Sequence, residues 1–169
     1  AVMLSLAMGI GFGGVAQSIY NSLVAWLDAV LNPDFFVTPT DSLANRNFAF
    51  PGAMGAEVAQ IEGVRQVQLV KSSRVMFRQA PVQLVAAEAA KLAQTTRWDP
   101  LVGNRDEMFR LTAQGKGLMI SDSLAGLRGL HLGEVLELPT PRGLLRLPVV
   151  GITRDWSDDQ GSILIDRSV

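Results

Sequence analysis

Three residues near the middle of the chain have the chemical types of a catalytic triad. Ser121, Asp122 and His131 lie close together in sequence, and a serine, an acid and a histidine can form a nucleophile with its general base. No G-x-S-x-G sequence surrounds Ser121 or Ser123, so the turn that exposes such a nucleophile is not predicted. Ser and Asp are also preferred at helix N-termini, and we predict that Ser121 or Asp122 caps a short helix instead.

Four aspartates near the C-terminus have the chemistry of a site for a hard cation, because Ca²⁺ takes oxygen ligands. They are Asp155, Asp158, Asp159 and Asp166. The D-x-D-x-D-G spacing of a calcium-binding loop is absent, so a solvated turn is favoured. The chain has no cysteine and a single histidine, which excludes thiolate and multi-histidine metal sites. We predict no catalytic residue, no cofactor and no metal.

Three glycines near the N-terminus match a phosphate-binding turn. Gly9, Gly11 and Gly14 spell G-x-G-x-x-G after an apolar run and before a helical pattern, which is the outline of a dinucleotide-binding fingerprint. The match is weak, because the fingerprint's acid follows a strand, whereas Asp34 precedes the next strand candidate. No regular βαβ alternation follows. A nucleotide-binding enzyme is therefore a distant third hypothesis.

The first 31 residues are predicted to form one helix with two parts. Residues 1–16 are all apolar, Gly or Ser, but as a helix they reach only about 24 Å, short of the roughly 30 Å of a bilayer core. We interpret them as the outer part of a first transmembrane helix. Residues 17–31 are amphipathic, with an apolar stripe at helical spacing. We interpret them as a stalk helix, with Ile19, Leu23, Trp26 and Leu27 on its apolar face.

The remaining chain, 32–169, is predicted to be an α+β domain of two lobes with about eight short strands and several short helices. Strand patterns cover residues 34–38, 64–71, 74–79, 82–87, 117–121, 135–138, 144–152 and 162–166, and Pro148 suggests an edge or a bulge. Residues 95–104 lack a clear period and mark a possible lobe boundary. The net charge is −1 with no basic block, so a nucleic-acid partner is not predicted.

Three stretches resemble the extracytoplasmic domain of MacB-type (FtsX-like) ABC transporter permeases. The first is SLVAWLDAVLNPDFFV, which follows the apolar run, and the second is AQIEGVRQV. The third and most specific is KGLMISDSLAGLRGLHLGEVLELPTPRGLLRLPVVGITRDWSDDQGSILID. It is similar to the family's strand, Ser-capped helix, Gly-Asp-x-Val turn, hairpin and closing strand. Glu134 stands where the family usually has Asp.

The resemblance implies a non-enzymatic domain on the periplasmic side of the inner membrane. It would transmit ATP-driven movement to a substrate or partner, in lipoprotein extraction, peptide or drug export, or hydrolase activation. The transmission face of the stalk helix would then be Ile19, Leu23, Trp26 and Leu27. Implied partners are a separate cytoplasmic ATPase subunit, a second permease copy or paired homologue, a possible periplasmic adaptor or lipoprotein, and membrane lipid at the N-terminus. Residues 38–50 and 95–104 are the candidate partner-binding loops. The alternative is a soluble periplasmic binding or adaptor domain with a buried N-terminal helix.

Overall fold

The computed structural model describes residues 2–30, 34–37, 50–140, 143–155 and 158–169. Its helices are α1 (Val2–Val30), α2 (Met54–Val58), α3 (Ala89–Thr95), α4 (Arg105–Ala113) and α5 (Asp122–Arg128). Its strands are β1 (Val70–Phe77), β2 (Ala80–Ala87), β3 (Pro100–Val102), β4 (Leu118–Ser121), β5 (Val135–Thr140), β6 (Gly143–Thr153) and β7 (Ser162–Asp166). The protein is therefore an α+β domain preceded by a long helix, as predicted.

Within the described residues, all seven strands join one mixed sheet. Six strands follow the order β1-β2-β7-β4-β6-β3, and β5 pairs with β6 beside that path. The β2–β7 and β4–β6 pairs are parallel, and the other pairs are antiparallel. The eleven-residue β6 contacts three strands, because its first half pairs with β5 and its second half with β4 and β3.

The central strands bury both faces of the sheet. In β4, Leu118 and Ile120 pack in the larger core, against α5 and the β5–β6 hairpin. Met119 points to the opposite face, where it packs with Met108 and Phe109 of α4. Side chains alternate between faces along a strand, so an uninterrupted apolar strand such as β4 supplies both cores at once.

A bulge in β6 follows Pro148. The register of β4 against β6 shifts there, because Leu118 lies opposite Val149 whereas the next residue, Met119, lies opposite Gly151. An extra residue bends a strand and increases its twist. The bulge expected from Pro148 is confirmed, and it lies where β6 passes from its β5 partner to its β4 partner.

Ser121 connects β4, α5 and β7 through one buried hydroxyl. Its Oγ accepts hydrogen bonds from the backbone N–H of Leu124, at 3.2 Å, and of Ser162, at 2.9 Å. The first bond is the predicted N-cap of α5. At the other end of the helix, Gly129 adopts the left-handed conformation with φ 61°, which a C-terminal glycine permits at little cost.

Several predicted boundaries are wrong. Residues 34–37 form no strand, and Thr38 lies outside the described residues. Residues 64–69 are also not a strand, and the two strands predicted over 64–79 are the single strand β1. The loop predicted over 95–104 contains β3, which pairs with β6. The result is seven described strands rather than eight, while the lobe boundary itself stays a prediction.

The first helix is continuous and projects its side chains into open space. Its 29 residues make a rod about 43 Å long at about 1.5 Å per residue. Met3 and residues 5–21 are exposed, including Phe12 at 72% and Val15 at 59%. Among the described residues, no helix is both long enough and apolar enough to cross a bilayer.

We predict that Ser121→Ala lowers the free energy of unfolding by about 2 kcal/mol, because two buried N–H groups lose their acceptor. The matched control is Asn104→Ala. Asn104 caps the exposed start of α4 through one bond to the Glu107 N–H, so its loss costs about 1 kcal/mol. Urea unfolding measures both variants. Equal losses would contradict the linking role of Ser121.

Candidate functional site

Three strand ends meet at one margin of the sheet. Val70, where β1 begins, lies opposite Ala87, where β2 ends. Ala87 in turn lies beside Asp166, where β7 ends. The chain therefore enters the sheet and leaves its last strand at neighbouring positions. We call this region, comprising Leu69, Val70, Ala87–Lys91 and Asp166, the entry–exit junction.

Glu88 and Lys91 bind the segment before β1 to the start of α3. We call this segment, residues 67–69, the incoming chain. The backbone N–H of Leu69 donates to Glu88 Oε2 at 3.3 Å, and Lys91 Nζ donates to the carbonyl oxygen of Val67 at 3.2 Å. The two side chains also form an ion pair with each other at 2.8 Å. One acid and one base thus hold the segment before β1 by its backbone, where residues 67–69 belong to no strand.

Asp166 binds the residues that follow β7 to the same helix. We call these residues, 167–169, the outgoing chain. Its Oδ2 accepts a hydrogen bond from the Ala89 N–H at 2.9 Å, and its Oδ1 accepts from the Ser168 N–H and hydroxyl. The Arg167 N–H donates to the Ala87 carbonyl at 3.1 Å. A carboxylate that accepts N–H groups at a helix start is favoured by the helix dipole. The start of α3 therefore binds both the entry and the exit of the chain.

The entry–exit junction stabilises the ionised carboxylates of Glu88 and Asp166. Burial raises the pKa of Glu88, but the hydrogen bonds from Lys91 and the Leu69 N–H outweigh it, so the pKa lies below its ordinary value. Burial also raises the pKa of Asp166, and the bonds from Ser168 and Ala89 again outweigh it and lower the pKa. These bonds form best to a charged carboxylate.

The predicted transmission face lies on α1. Ile19 is 60% exposed and Leu23 is 42% exposed, whereas Leu27 is half-buried. Trp26 belongs to the helix, but its side chain lies outside the described part of the structure. The described part of this face is available to a partner, and its role in transmission stays a prediction.

The triad and cation hypotheses gain no support. Ser121 is buried and accepts two backbone bonds, while His131 is exposed. Asp158 forms an ion pair with Arg74 at 2.7 Å, Asp155 accepts from the Ser162 hydroxyl, and Asp166 belongs to the junction. In the described ranges, no three His, Cys, Asp or Glu side chains are arranged to hold a metal ion.

Two other structural expectations, a dinucleotide-binding turn and a buried N-terminal helix, are wrong. Gly9, Gly11 and Gly14 lie inside the continuous helix α1, whereas a dinucleotide-binding turn joins a strand to a helix. The soluble alternative required a buried N-terminal helix. The described side chains of α1 from Met3 to Asn21 are exposed, so that helix is not part of the core.

The chain is 25% identical over 174 aligned residues to uncharacterized ABC transporter permease protein Rv0987 of Mycobacterium tuberculosis. The match covers 99% of this chain and 20% of that protein. The chain thus spans about a fifth of the curated relative it matches. No protein-family model matches the chain.

Among solved structures, the extracellular domain of the noncanonic ABC-type transporter YknZ from Gram-positive bacteria has the same fold. The TM-score is 0.51 at 18% identity, over 79% of this chain and 71% of that one. This chain resembles the extracytoplasmic domain of an ABC transporter permease. That finding confirms the resemblance in the sequence. The periplasmic region of MacB from Actinobacillus actinomycetemcomitans covers 69% of this chain and 54% of its own, at 8% identity. Its TM-score of 0.39 is too low to establish a common fold.

The junction was not predicted from the sequence. In the sequence, Asp166 is a candidate cation ligand and the last residue of a strand pattern. A signal for the junction is present, since Asp166 ends one strand pattern and Glu88 directly follows another. The sequence pattern does not reveal that β2 and β7 pair in parallel. That pairing brings Glu88 and Asp166 to the start of one helix.

We predict a pH-dependent contribution of the junction to stability. Because the pKa values of Glu88 and Asp166 are lowered in the folded protein, their contribution is present above pH about 4.5 and is lost as the pH falls through the folded values. Asp166→Asn should lower the free energy of unfolding by about 1 kcal/mol at pH 7. The difference from the parent should shrink below pH 4.

Asp106→Asn is the matched control, because the Asp106 side chain is 95% exposed. Unfolding in urea at a series of pH values measures both variants. An Asp166→Asn loss that stays constant down to pH 2 would show that the carboxylate charge does not contribute.

Proposed function

We propose that this chain is the extracytoplasmic domain of an ABC transporter permease, and that it transmits ATP-driven movement from the membrane to a substrate or partner beyond it. The similarity over 99% of the chain to an ABC transporter permease supports the family assignment. The fold shared with the YknZ extracellular domain supports an extracytoplasmic location. The relevant membrane would be the inner membrane, with the domain on the periplasmic side.

The observation that carries this proposal is the exposed apolar surface of α1. Side chains such as Ile10, Phe12 and Val15 are 69%, 72% and 59% exposed, although burying each would be worth roughly 1.5–3 kcal/mol. In the proposal, residues 1–16 contact lipid as the outer part of a membrane helix, and residues 17–31 form the stalk that leaves the membrane.

The entry–exit junction gives the proposed movement a route into the domain. A displacement of α1 reaches the sheet through the chain that precedes β1, which is held by Glu88 and Lys91. The same helix start holds the outgoing chain through Asp166. Close-packed interiors transmit displacement because they deform little. The sheet is packed on both faces, so it would move as a rigid body.

The domain is proposed to act without chemistry of its own. ATP hydrolysis would belong to a separate cytoplasmic ATPase subunit, and a second permease copy or a paired homologue would complete the assembly. A periplasmic adaptor or a lipoprotein remains the proposed partner beyond the membrane. The proposed transmission face is Ile19, Leu23, Trp26 and Leu27.

We predict that the full chain floats with liposomes in a density gradient, whereas a chain starting at Gln17 stays in the aqueous fraction and still unfolds cooperatively when heated, as followed by circular dichroism. Apolar surface on residues 1–16 is the reason for the difference. If the full chain stays in the aqueous fraction and the shortened chain unfolds, the lipid-contact proposal fails.

A second prediction concerns the stalk. In the full-length permease with its ATPase, Ser18→Pro should break the continuous helix, because proline removes a backbone bond and costs about 3 kcal/mol within a helix. Spin labels on Gln114→Cys in the two copies should then lose their ATP-dependent change in separation, while ATP hydrolysis continues. Ser18→Ala keeps the helix and should retain the change. An unaltered change in Ser18→Pro would contradict transmission through the stalk.

A further inference from the structure

A groove separates the end of β1 from the start of β5. Its volume is about 550 Å³, and its lining includes Met76, Phe77, Arg78, Val135, Leu136 and Arg146. β1 and β5 contact each other, but among the described residues no backbone pairing joins them. The guanidinium of Arg78 and the carboxylate of Glu134 bridge the two sides instead, at 2.9 Å. We call this region the β1–β5 groove.

The backbone of Met76 points into this groove. Phe77 and Ala80 flank the turn 78–79, whose two residues have positive φ as in a type I′ turn, and the pair that closes such a turn is hydrogen bonded. Bonded and non-bonded pairs alternate along an antiparallel ladder, so the next pair, Met76 and Pro81, is non-bonded. Pro81 has no N–H to donate in any case. The N–H and C=O of Met76 therefore point away from β2 and toward the groove.

The same alternation frees the backbone of Val135 on the other side. The carbonyl oxygen of Glu134 accepts the Val149 N–H at 2.8 Å, and the next residue, Val135, lies opposite Pro148. Val135 is thus in a non-bonded pair, and its N–H and C=O point away from β6. The groove offers backbone donors and acceptors from two strands, which is the chemistry that recognises an extended polypeptide.

Apolar side chains lie on both faces of the strands at this place. Phe77 and Leu136 belong to the larger core and are 5% and 1% exposed, whereas Met76 and Val135 are 59% and 56% exposed. Side chains alternate between the two faces along a strand. An extended segment in the groove would therefore place alternate side chains beside the core and beside Met76 and Val135.

Basic side chains surround the groove. Three arginines each pair with an acid and are more exposed than that acid, namely Arg74 with Asp158, Arg78 with Glu134 and Arg146 with Glu137. Arg128 adds a fourth positive charge. Its carbonyl oxygen accepts from Arg78 at 3.3 Å, and its Nε has no hydrogen-bond partner in the described part of the chain.

Four arginines against three acids leave an excess of positive charge around the groove. Because the guanidinium groups are the more exposed members of their pairs, a segment that approaches from solvent meets them first. Arginines beside a strand edge discourage pairing with basic strands and attract carboxylates, which accept charge-assisted hydrogen bonds from guanidinium groups. The groove is therefore suited to a segment with acidic side chains.

We propose that the β1–β5 groove binds an extended, acidic segment of a partner polypeptide, whose backbone pairs with the free edges at Met76 and Val135. The proposal rests on the proposed function for the existence of a partner, and adds the binding site and the chemistry of the segment. Met76 lies along β1 from Val70 of the entry–exit junction by about 20 Å. The groove is thus separate from the place where the chain enters and leaves the domain.

The first test is peptide binding to the full chain in detergent, measured by fluorescence anisotropy. The probe is a labelled peptide of about eight alternating valine and glutamate residues, which is the length of an ordinary strand, with blocked termini. We expect saturable binding that is about tenfold tighter than that of the same peptide with lysine in place of glutamate, because like charges across an interface are costly. Equal binding of the two peptides, or no binding of either, overturns the proposal.

A pair of matched variants locates the site. Arg146→Glu should weaken binding of the valine–glutamate peptide about threefold to tenfold, since an exposed ion pair is worth up to about 1 kcal/mol. Arg110→Glu is the control, because Arg110 is also an exposed arginine paired with an acid but lies on α4, which packs against the opposite face of the sheet. If both variants weaken binding equally, the peptide is not in the groove and the proposal is wrong.

The third test asks whether the backbone is recognised. In an extended peptide the N–H groups of successive residues point to opposite sides, so methylating the valine nitrogens blocks one edge and methylating the glutamate nitrogens blocks the other. Each set should weaken binding by more than about tenfold, because several bonds of about 1 kcal/mol are lost. Full affinity in either methylated peptide overturns the pairing with both strands.

These tests are independent of lipid and ATP. Loss of peptide binding in a chain that still floats with liposomes overturns the groove proposal and leaves the permease proposal standing. Selective peptide binding by a chain that does not float supports the groove and removes the lipid contact of residues 1–16.

Discussion

The parallel pairing of β2 with β7 brings the residues before β1 and the residues after β7 to one place on the domain. Gln83 lies beside Ser162 and Ala87 beside Asp166, so the last strand ends where the first hairpin ends. An antiparallel pairing would place Asp166 at the far margin of the sheet, away from α3. With the observed pairing, one short helix start can hold the incoming and the outgoing chain by hydrogen bonds to Glu88, Lys91 and Asp166.

In the proposed function, this arrangement gives the junction a mechanical role. The segments on either side of the domain are fastened to the same few backbone groups, so a relative displacement of the two segments would act on the start of α3 first. Behind that point, β4 and β7 are packed on both faces, and close packing leaves little room to absorb the displacement. A domain built this way is suited to rigid-body motion rather than to internal rearrangement.

The sequence predicted the parts of the fold that depend on local pattern. A helix cap at Ser121 or Asp122 and strands over 135–138 and 144–152 follow from residue types and spacing, and the Ser121 cap, β5 and β6 are present there. The sequence did not predict the segments whose structure depends on pairing with another strand. Residues 34–38 and 64–69 have strand-like composition, but the described ones pair with no strand. β3 has only three residues, too few for a period to be recognised.

The same limit explains why the junction emerged only from the fold, and the two edges of the sheet show what the fold adds. β1, at one edge, has exposed Lys71, Ser73 and Arg74, and Arg74 is held by Asp158. Charged side chains on an edge strand discourage further pairing. β3, at the other edge, exposes Leu101 and Val102, with its charges placed beyond the strand rather than on it. β1 also exposes two apolar side chains, Val70 at 58% and Met76 at 59%. The two edges therefore differ in the charges carried within the strand, and apolar exposure alone does not distinguish β3 as an edge that pairs with another strand.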